Sequence, residues 1–374
     1  FNQPDSSENC ESCHSDVDNK LTTYPSLPFD EWILDAHSAS ARNHRFLTMY
    51  SGSDIYGNRS PMTSFGSNRD YGKFPLAPDL NQPYYGPGYQ LDFQDSAGNC
   101  ATCHIPISAI NNPYENDPVN VTGVGAEGIN CDFCHKIWDV RLDQNSGLPF
   151  QNMPGVLSYE FLRPSSEHQL FAGPYDDVAP GEDVYNALYN ESQYCAPCHY
   201  GVFWDTVIYN SFGEWLQSPY SNPETGQSCQ DCHMPDTGAD FVALPEKGGI
   251  DRSSGTVYSH LMPGASSIEF LKNAITMTVT TEIADRLSVK VTIRNSAAGH
   301  HFPTDSPLRH LILLVDARDK DDERLGLHNG PTVPDWGGVL PQEVDFQTER
   351  IGSRYYAGKP GTAYAKILEE VWTL

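Results

Sequence analysis

Ten cysteines occur in the 374-residue chain, and all ten fall into one arrangement: two cysteines three positions apart with a histidine directly behind. The five boxes are Cys10-Glu11-Ser12-Cys13-His14, Cys100-Ala101-Thr102-Cys103-His104, Cys131-Asp132-Phe133-Cys134-His135, Cys195-Ala196-Pro197-Cys198-His199 and Cys229-Gln230-Asp231-Cys232-His233. The chain's own Cys and His frequencies would place roughly 0.01 such boxes over its length by chance. Two thiols at this spacing can each add to one vinyl group of a haem. The imidazole that follows then lies under the ring and takes one axial position on iron. Zinc sites pair cysteines but do not set a histidine behind every pair. A thioredoxin-like redox motif occurs once, in a strand–helix setting. A disulfide framework has no reason to put ten cysteines into five identical boxes. The expectation is five covalent c-type haems per chain, with no cysteine left over.

Composition agrees with a cofactor-filled interior. Apolar residues make up 39% of the chain, and Gly plus Pro take 58 positions, yet 42 aromatics exclude a disordered polymer. Porphyrins are then expected to supply much of the missing core, so the apo chain should not fold. The formal charge of −26 excludes a nucleic-acid partner, because a polyanion would be repelled. No apolar run reaches the length of a membrane span, and no charged-then-apolar leader precedes Phe1. Beginning at Phe, the chain reads as a processed or trimmed form. Covalent haem attachment of this kind takes place outside the prokaryotic cytoplasm, so a periplasmic, extracellular or cell-surface location is expected.

Two regions are expected. Residues 1–263 hold every box and read as irregular, Gly/Pro/Asn-rich backbone with short helices at about 29–50, 185–198 and 211–217. Boxes two and three lie 31 residues apart and boxes four and five lie 34 apart, which suggests close haem pairs. Residues 264–374 carry no box. There Leu287, Val289, Val291 and Ile293 alternate with polar residues, the period of a half-buried strand. Ala274 to Thr281 and Leu311 to Ala317 read as further strands, with Asp319 to Arg324 as a hairpin tip. Short strands with turn signals predict an immunoglobulin-like β-sandwich, unfinished at Leu374.

A haem used only for electron transfer takes a second axial ligand, His or Met, which leaves no open position for substrate. Beyond the five box histidines stand His37, His44, His168, His260, His300, His301, His310 and His328, more than five irons require. His37 and His44 lie seven residues apart on one expected helix face, so either can serve. His260 lies at the junction of the two regions. One of His300 and His301, in the loop after a strand, can reach a haem. His168 and His310 are further candidates, and His328 is the weakest.

The chain resembles a family of secreted multihaem c-type cytochromes of anaerobic bacteria and archaea. The likeness rests on Gly128-Ile129-Asn130-Cys131-Asp132-Phe133-Cys134-His135-Lys136, on Cys195-Ala196-Pro197-Cys198-His199, and on Glu214-Trp215-Leu216-Gln217-Ser218-Pro219-Tyr220 leading to Cys229 through Pro235. It extends through Gly299-His300-His301-Phe302-Pro303-Thr304 and Ala357-Gly358-Lys359-Pro360-Gly361. More distantly the box-rich part is similar to the hydroxylamine oxidoreductase group. The resemblance implies extracellular or periplasmic electron transport with redox proteins or an extracellular acceptor as partners. It also implies a possible homopolymer, a filament conducting along its haems, in which a subunit can lend an axial His to its neighbour. The alternative reading is a haem oxidoreductase acting on a small nitrogen or sulfur species at one open-sided iron. Every box here ends in His, without the Lys substitution of related nitrite reductases.

Overall fold

The computed structural model describes residues 5–16, 27–54, 56–61, 88–164, 169–175, 183–203, 206–306, 309–334 and 356–365. His168 and the end of the expected last strand lie outside the described residues. The chain divides into two compact units, Phe1–Gly201 with Gln227–Met262, and Val202–Gly226 with Pro263–Leu374. The expected boundary near 263 therefore needs one amendment: 202–226 goes with the second unit.

Helices are short throughout: α1 (Ser7–His14), α2 (Pro28–Trp32), α3 (His44–Ser51), α4 (Tyr89–Asp92), α5 (Ala101–His104), α6 (Pro106–Ala109), α7 (Cys131–Cys134), α8 (Ala196–His199), α9 (Ser211–Leu216), α10 (Cys229–His233) and α11 (Ile268–Ala274). Five of them carry the boxes, for a geometric reason. In a helix, positions i, i+3 and i+4 share one face, so a single turn points both sulfurs and the imidazole to the same side. The residue before the box supplies the cap in two cases. Asn130 Oδ1 accepts from Phe133 N at 2.9 Å, and Ser228 and Asp231 form a reciprocal capping box on α10. Single turns of this length do not hold in water by themselves, so packing and cofactor must hold them.

Two expected helices differ. The stretch 29–50 is broken into α2, turns, a 3-10 turn at Ser40–Arg42 and α3, because Asn43 starts a new helix by accepting from Phe46 N. His37 and His44 thus do not share a helix face. The stretch 185–198 is two 3-10 turns, Ala187–Asn190 and Ser192–Tyr194, before α8. The helix expected at 211–217 is α9.

In the first unit the strands are three or four residues long. β1 (Ile137–Val140) pairs antiparallel with β2 (Tyr159–Phe161), and β3 (Phe171–Gly173) pairs parallel with β4 (Asp183–Tyr185). The main core is Ala41, Ala97, Ala101, Ile105, Ile107, Ala109, Phe133, Ile137, Val156 and Tyr159, with Cys134 and Cys198 packed against it. Half of it is alanine or small aliphatic, and two of its members lie inside boxes.

The second unit is more regular. A short ribbon, β5 (Gly201–Phe203) with β6 (Thr206–Tyr209), precedes α9. β7 (Ile275–Ile283) and β8 (Leu287–Asn295) pair antiparallel over nine residues, setting Met277 opposite Ile293, Val279 opposite Val291 and Ile283 opposite Leu287. That places the apolar side chains on one face, where Met277, Val279, Ile283, Leu287 and Val289 are all more than half exposed. β9 (His310–Leu314) pairs antiparallel with β10 (Gly361–Ala365). The charged stretch after β9 closes on an Arg318–Arg324 bridge, as a hairpin tip does. The described residues thus give three separate two-stranded sheets here, β5–β6, β7–β8 and β9–β10.

Candidate haem-binding sites

All ten box cysteines are half-buried, as are the five box histidines. Three box imidazoles have their Nδ1 tied to a backbone carbonyl. His14 donates to Val242 O at 2.7 Å, His104 to Ser40 O at 3.3 Å and His135 to Ala172 O at 2.9 Å. Such a bond fixes the ring and its tautomer, with the lone pair on Nε2, the arrangement a metal ligand needs. Phe46 adds to this at His104 by stacking flat on its ring, at 3.6 Å and 2°.

Two further histidines stand opposite box histidines. The rings of His37 and His199 are 6.1 Å apart, and those of His260 and His135 are 6.4 Å apart. An iron held by two Nε2 atoms at about 2 Å each puts the ring centres about 6 Å apart. Both pairs meet that spacing. His260 donates Nδ1 to Tyr258 O at 3.0 Å, and His37 donates to Asp35 Oδ2 at 2.6 Å. Burial, then the neighbouring His135, pushes His260 down to about 4, so its ring is neutral at pH 7, as ligation demands. Burial likewise lowers His135. The residues present therefore fit a six-coordinate haem iron at boxes three and four.

One loop organises several of these contacts. His37 O accepts from Ile129 N at 3.0 Å, just before box three, and Trp32 Nε1 donates to Ile129 O at 2.8 Å. Ser40 holds His104 of box two through its own carbonyl and through Oγ on His104 O at 2.9 Å. Gly128 makes this approach possible. Its φ is +72°, and a Cβ there would lie 2.7 Å from His37 O.

The boxes also meet one another. Hydrogen bonds tie three pairs of boxes. Glu127 accepts from Ser6 Oγ at 2.6 Å, Ser7 N at 2.9 Å and Asn130 Nδ2 at 3.1 Å, tying box one to box three. Ser192 Oγ accepts from Cys229 N at 2.9 Å, docking box five beside box four. Tyr189 and Tyr194 both donate to Cys134 O, at 2.7 and 2.9 Å, joining the approach to box four to box three. Burial raises both phenols well above the usual range, so they stay protonated donors.

Charge around box three is internal. Asp132, inside the box, pairs with Arg163, and both are buried. Arg163 Nη1 is buried with no acceptor among the described residues, which suits an anionic carboxylate such as a haem propionate. Lys136 is fully buried, donating to Gln169 Oε1 at 2.8 Å over the Phe171 ring.

In the second unit the motifs around Glu214 and His301 come together. Buried Glu214 accepts from His301 N at 3.0 Å and from Thr304 Oγ1 at 2.5 Å, and its other oxygen lies 3.2 Å from His301 Nδ1. His300 donates Nδ1 to His301 O at 2.9 Å. Gly299 sits against Trp215 and Tyr220, where a Cβ would come to 3.2 Å of each. His44, at the first position of α3, is exposed, as are His310 at the start of β9 and His328. Among the described residues no group of three or more His, Cys, Asp or Glu is gathered as a zinc site would need. No described helix is long and apolar enough to cross a membrane.

Sequence reasoning missed Asp35, Ser40, Tyr189, Tyr194 and Arg163. None stands in a recurring pattern. Asp35 alone carried a signal, a carboxylate two positions before a candidate ligand.

These features define a multihaem cytochrome c fold: loop-rich, with short helices and small sheets. The whole chain resembles the crystal structure of a penta-heme cytochrome c552 from Thermochromatium tepidum, with a TM-score of 0.54 and 19% identity over 97% of this chain and 87% of that one. No protein-family model and no curated protein matches the chain.

Proposed function

We propose that the chain transfers electrons through five c-type haems, one per box. The observation that carries this reading is that the boxes are tied to one another by hydrogen bonds, one to three, three to four and four to five. Boxes held this closely would hold neighbouring rings. When bound, the haem irons supply a one-electron ferric–ferrous couple. The cysteines would hold each haem, and the box histidines would bind its iron. In this reading His260 opposite His135 and His37 opposite His199 would bind the same irons, keeping water and small ligands away. Distal partners for His14, His104 and His233 are drawn from His44, His168, His300, His301 and His310. Buried Phe133 and Tyr159, with half-buried Tyr194 beside them, exclude water between boxes.

The protein acts outside the cytoplasm, where such haems are attached, and passes charge to redox proteins or an extracellular acceptor. Assembly into a homopolymer is part of the proposal, as the family resemblance implies, and a head-to-tail contact would extend the path. The second unit is proposed as a β-sandwich in which the apolar face of β7–β8 packs inward. The test is an intact mass and haem count with ferric electron paramagnetic resonance on the purified protein. Five haems, all low-spin, are expected. Bare thiols would sink the reading. Dominant high-spin iron, or a Soret shift at one haem with nitrite, hydroxylamine, sulfite or carbon monoxide, would replace it with the haem-oxidoreductase alternative.

A further inference from the structure

The Nδ1 atoms of His14, His104, His135 and His260 donate to backbone carbonyls, those of Val242, Ser40, Ala172 and Tyr258. His37 differs from these four. Its Nδ1 donates to Asp35 Oδ2 at 2.6 Å, the same oxygen accepts from His37 N at 2.9 Å, and the Asp35 side chain is 2% exposed. The carboxylate is held in place by its own backbone, with Asp35 N donating to Trp32 O at 3.0 Å and Ser38 Oγ donating to Asp35 O at 2.9 Å.

We propose that Asp35 is a tuning residue that makes the iron between His199 and His37 more reducing than the iron between His135 and His260. A buried anion on Nδ1 draws the proton toward itself and gives the imidazole imidazolate character. It becomes a stronger donor at Nε2, and a stronger, more negative ligand favours ferric over ferrous iron. A carbonyl partner lacks the net charge and does this less. At box three the imidazole has a carbonyl partner, His135 Nδ1 donating to Ala172 O, and the Asp132 carboxylate within that box is paired with Arg163. Box four is docked beside box five through Ser192 and beside box three through Tyr194, and His37 belongs to the loop that also holds His104. The more reducing centre therefore stands at the junction of the proposed path, where it sets a step in the energy profile rather than an end point.

The inference rests on the proposed haem reading, and its test separates the two. The experiment is a spectroelectrochemical titration of full-length holoprotein, wild type and Asp35→Asn, with ferric electron paramagnetic resonance. Asparagine keeps an acceptor oxygen and removes the charge. The expected result is one midpoint in five moved to more positive potential by about a tenfold change in the ferric-to-ferrous ratio, about 59 mV for a one-electron couple. One low-spin signal should change its g-values while four stay in place. Five unmoved midpoints, or a negative shift, overturn the proposal while the haem reading stands. If Asp35→Asn does not take up haem, the wild type decides. The centre that becomes high-spin in His37→Ala must be the one titrating below the centre that becomes high-spin in His260→Ala, and the reverse order overturns the proposal. If neither alanine variant produces high-spin iron, the ligand reading itself has failed.

Discussion

The two units solve the same problem with opposite means. The first carries every box on single helical turns and three- or four-residue strands, yet it buries Phe133, Tyr159, Ile105 and Ile137 almost completely. The second builds nine-residue strands in good register, yet leaves Met277, Val279, Ile283, Leu287 and Val289 more than half exposed. Regular secondary structure and a packed interior are thus separated in this chain. In the first unit the backbone need not be regular, because attachment points and side-chain clasps around each box dictate its course. In the second, strand pairing holds the backbone and leaves a face for something else to cover.

The largest expected effect comes from preventing haem attachment altogether. Hydrogen exchange on that apo chain should show protection lost across 101–104, 131–134, 196–199 and 229–233 while the 275–295 ribbon keeps more of its own. Equal loss in both would break the contrast. Next in size, His37→Ala and His260→Ala should each turn one iron in five high-spin, and the double variant two in five, read by electron paramagnetic resonance. A shared iron would give one in five for all three.

Core substitution sharpens the comparison further. Phe133→Ala, 2% exposed and ringed by Tyr159 and Phe161, should cost about 3–5 kcal/mol in thermal unfolding. Val279→Ala, on the exposed face of β7, should stay within about 0.5 kcal/mol. A large loss at Val279 would mean that the β7–β8 face is covered in solution.

The smallest effect concerns the hairpin tip after β9. The hydrogen bond from Arg324, with Arg318 adding to it, holds the Asp316 carboxyl below its ordinary value. A depressed carboxyl contributes stability that is present above the unfolded value, near pH 4, and lost as pH falls through the folded value. Asp316→Asn should remove that slight acid-side dependence from a melting series, and high salt should do the same because the pair is exposed.

Much of the site was legible from spacing. Positions i, i+3 and i+4 share a helical face, so the boxes announce five short turns and their chemistry without any tertiary information. His37 and His260 were also visible as spare imidazoles. Their pairing was not, because His37 lies 162 positions before His199 and His260 lies 125 after His135. The expectation that His37 and His44 share one helix failed at Asn43, whose capping side chain restarts the chain as α3. Strands β7 and β8 were readable from alternation; the division that sends 202–226 to the second unit was not, since the Glu214–His301 contact joins distant segments.

By itself the sequence determined the cofactor chemistry, the number of attachment points and the local helical turns, because these depend on residues within five positions of one another. Only the tertiary structure decided which imidazole faces which box, which boxes are tied together and that Asp35 backs His37. Those relations depend on where loops such as 35–42 and 127–130 cross, and such crossings follow from packing over the whole chain, which no short window of residues contains.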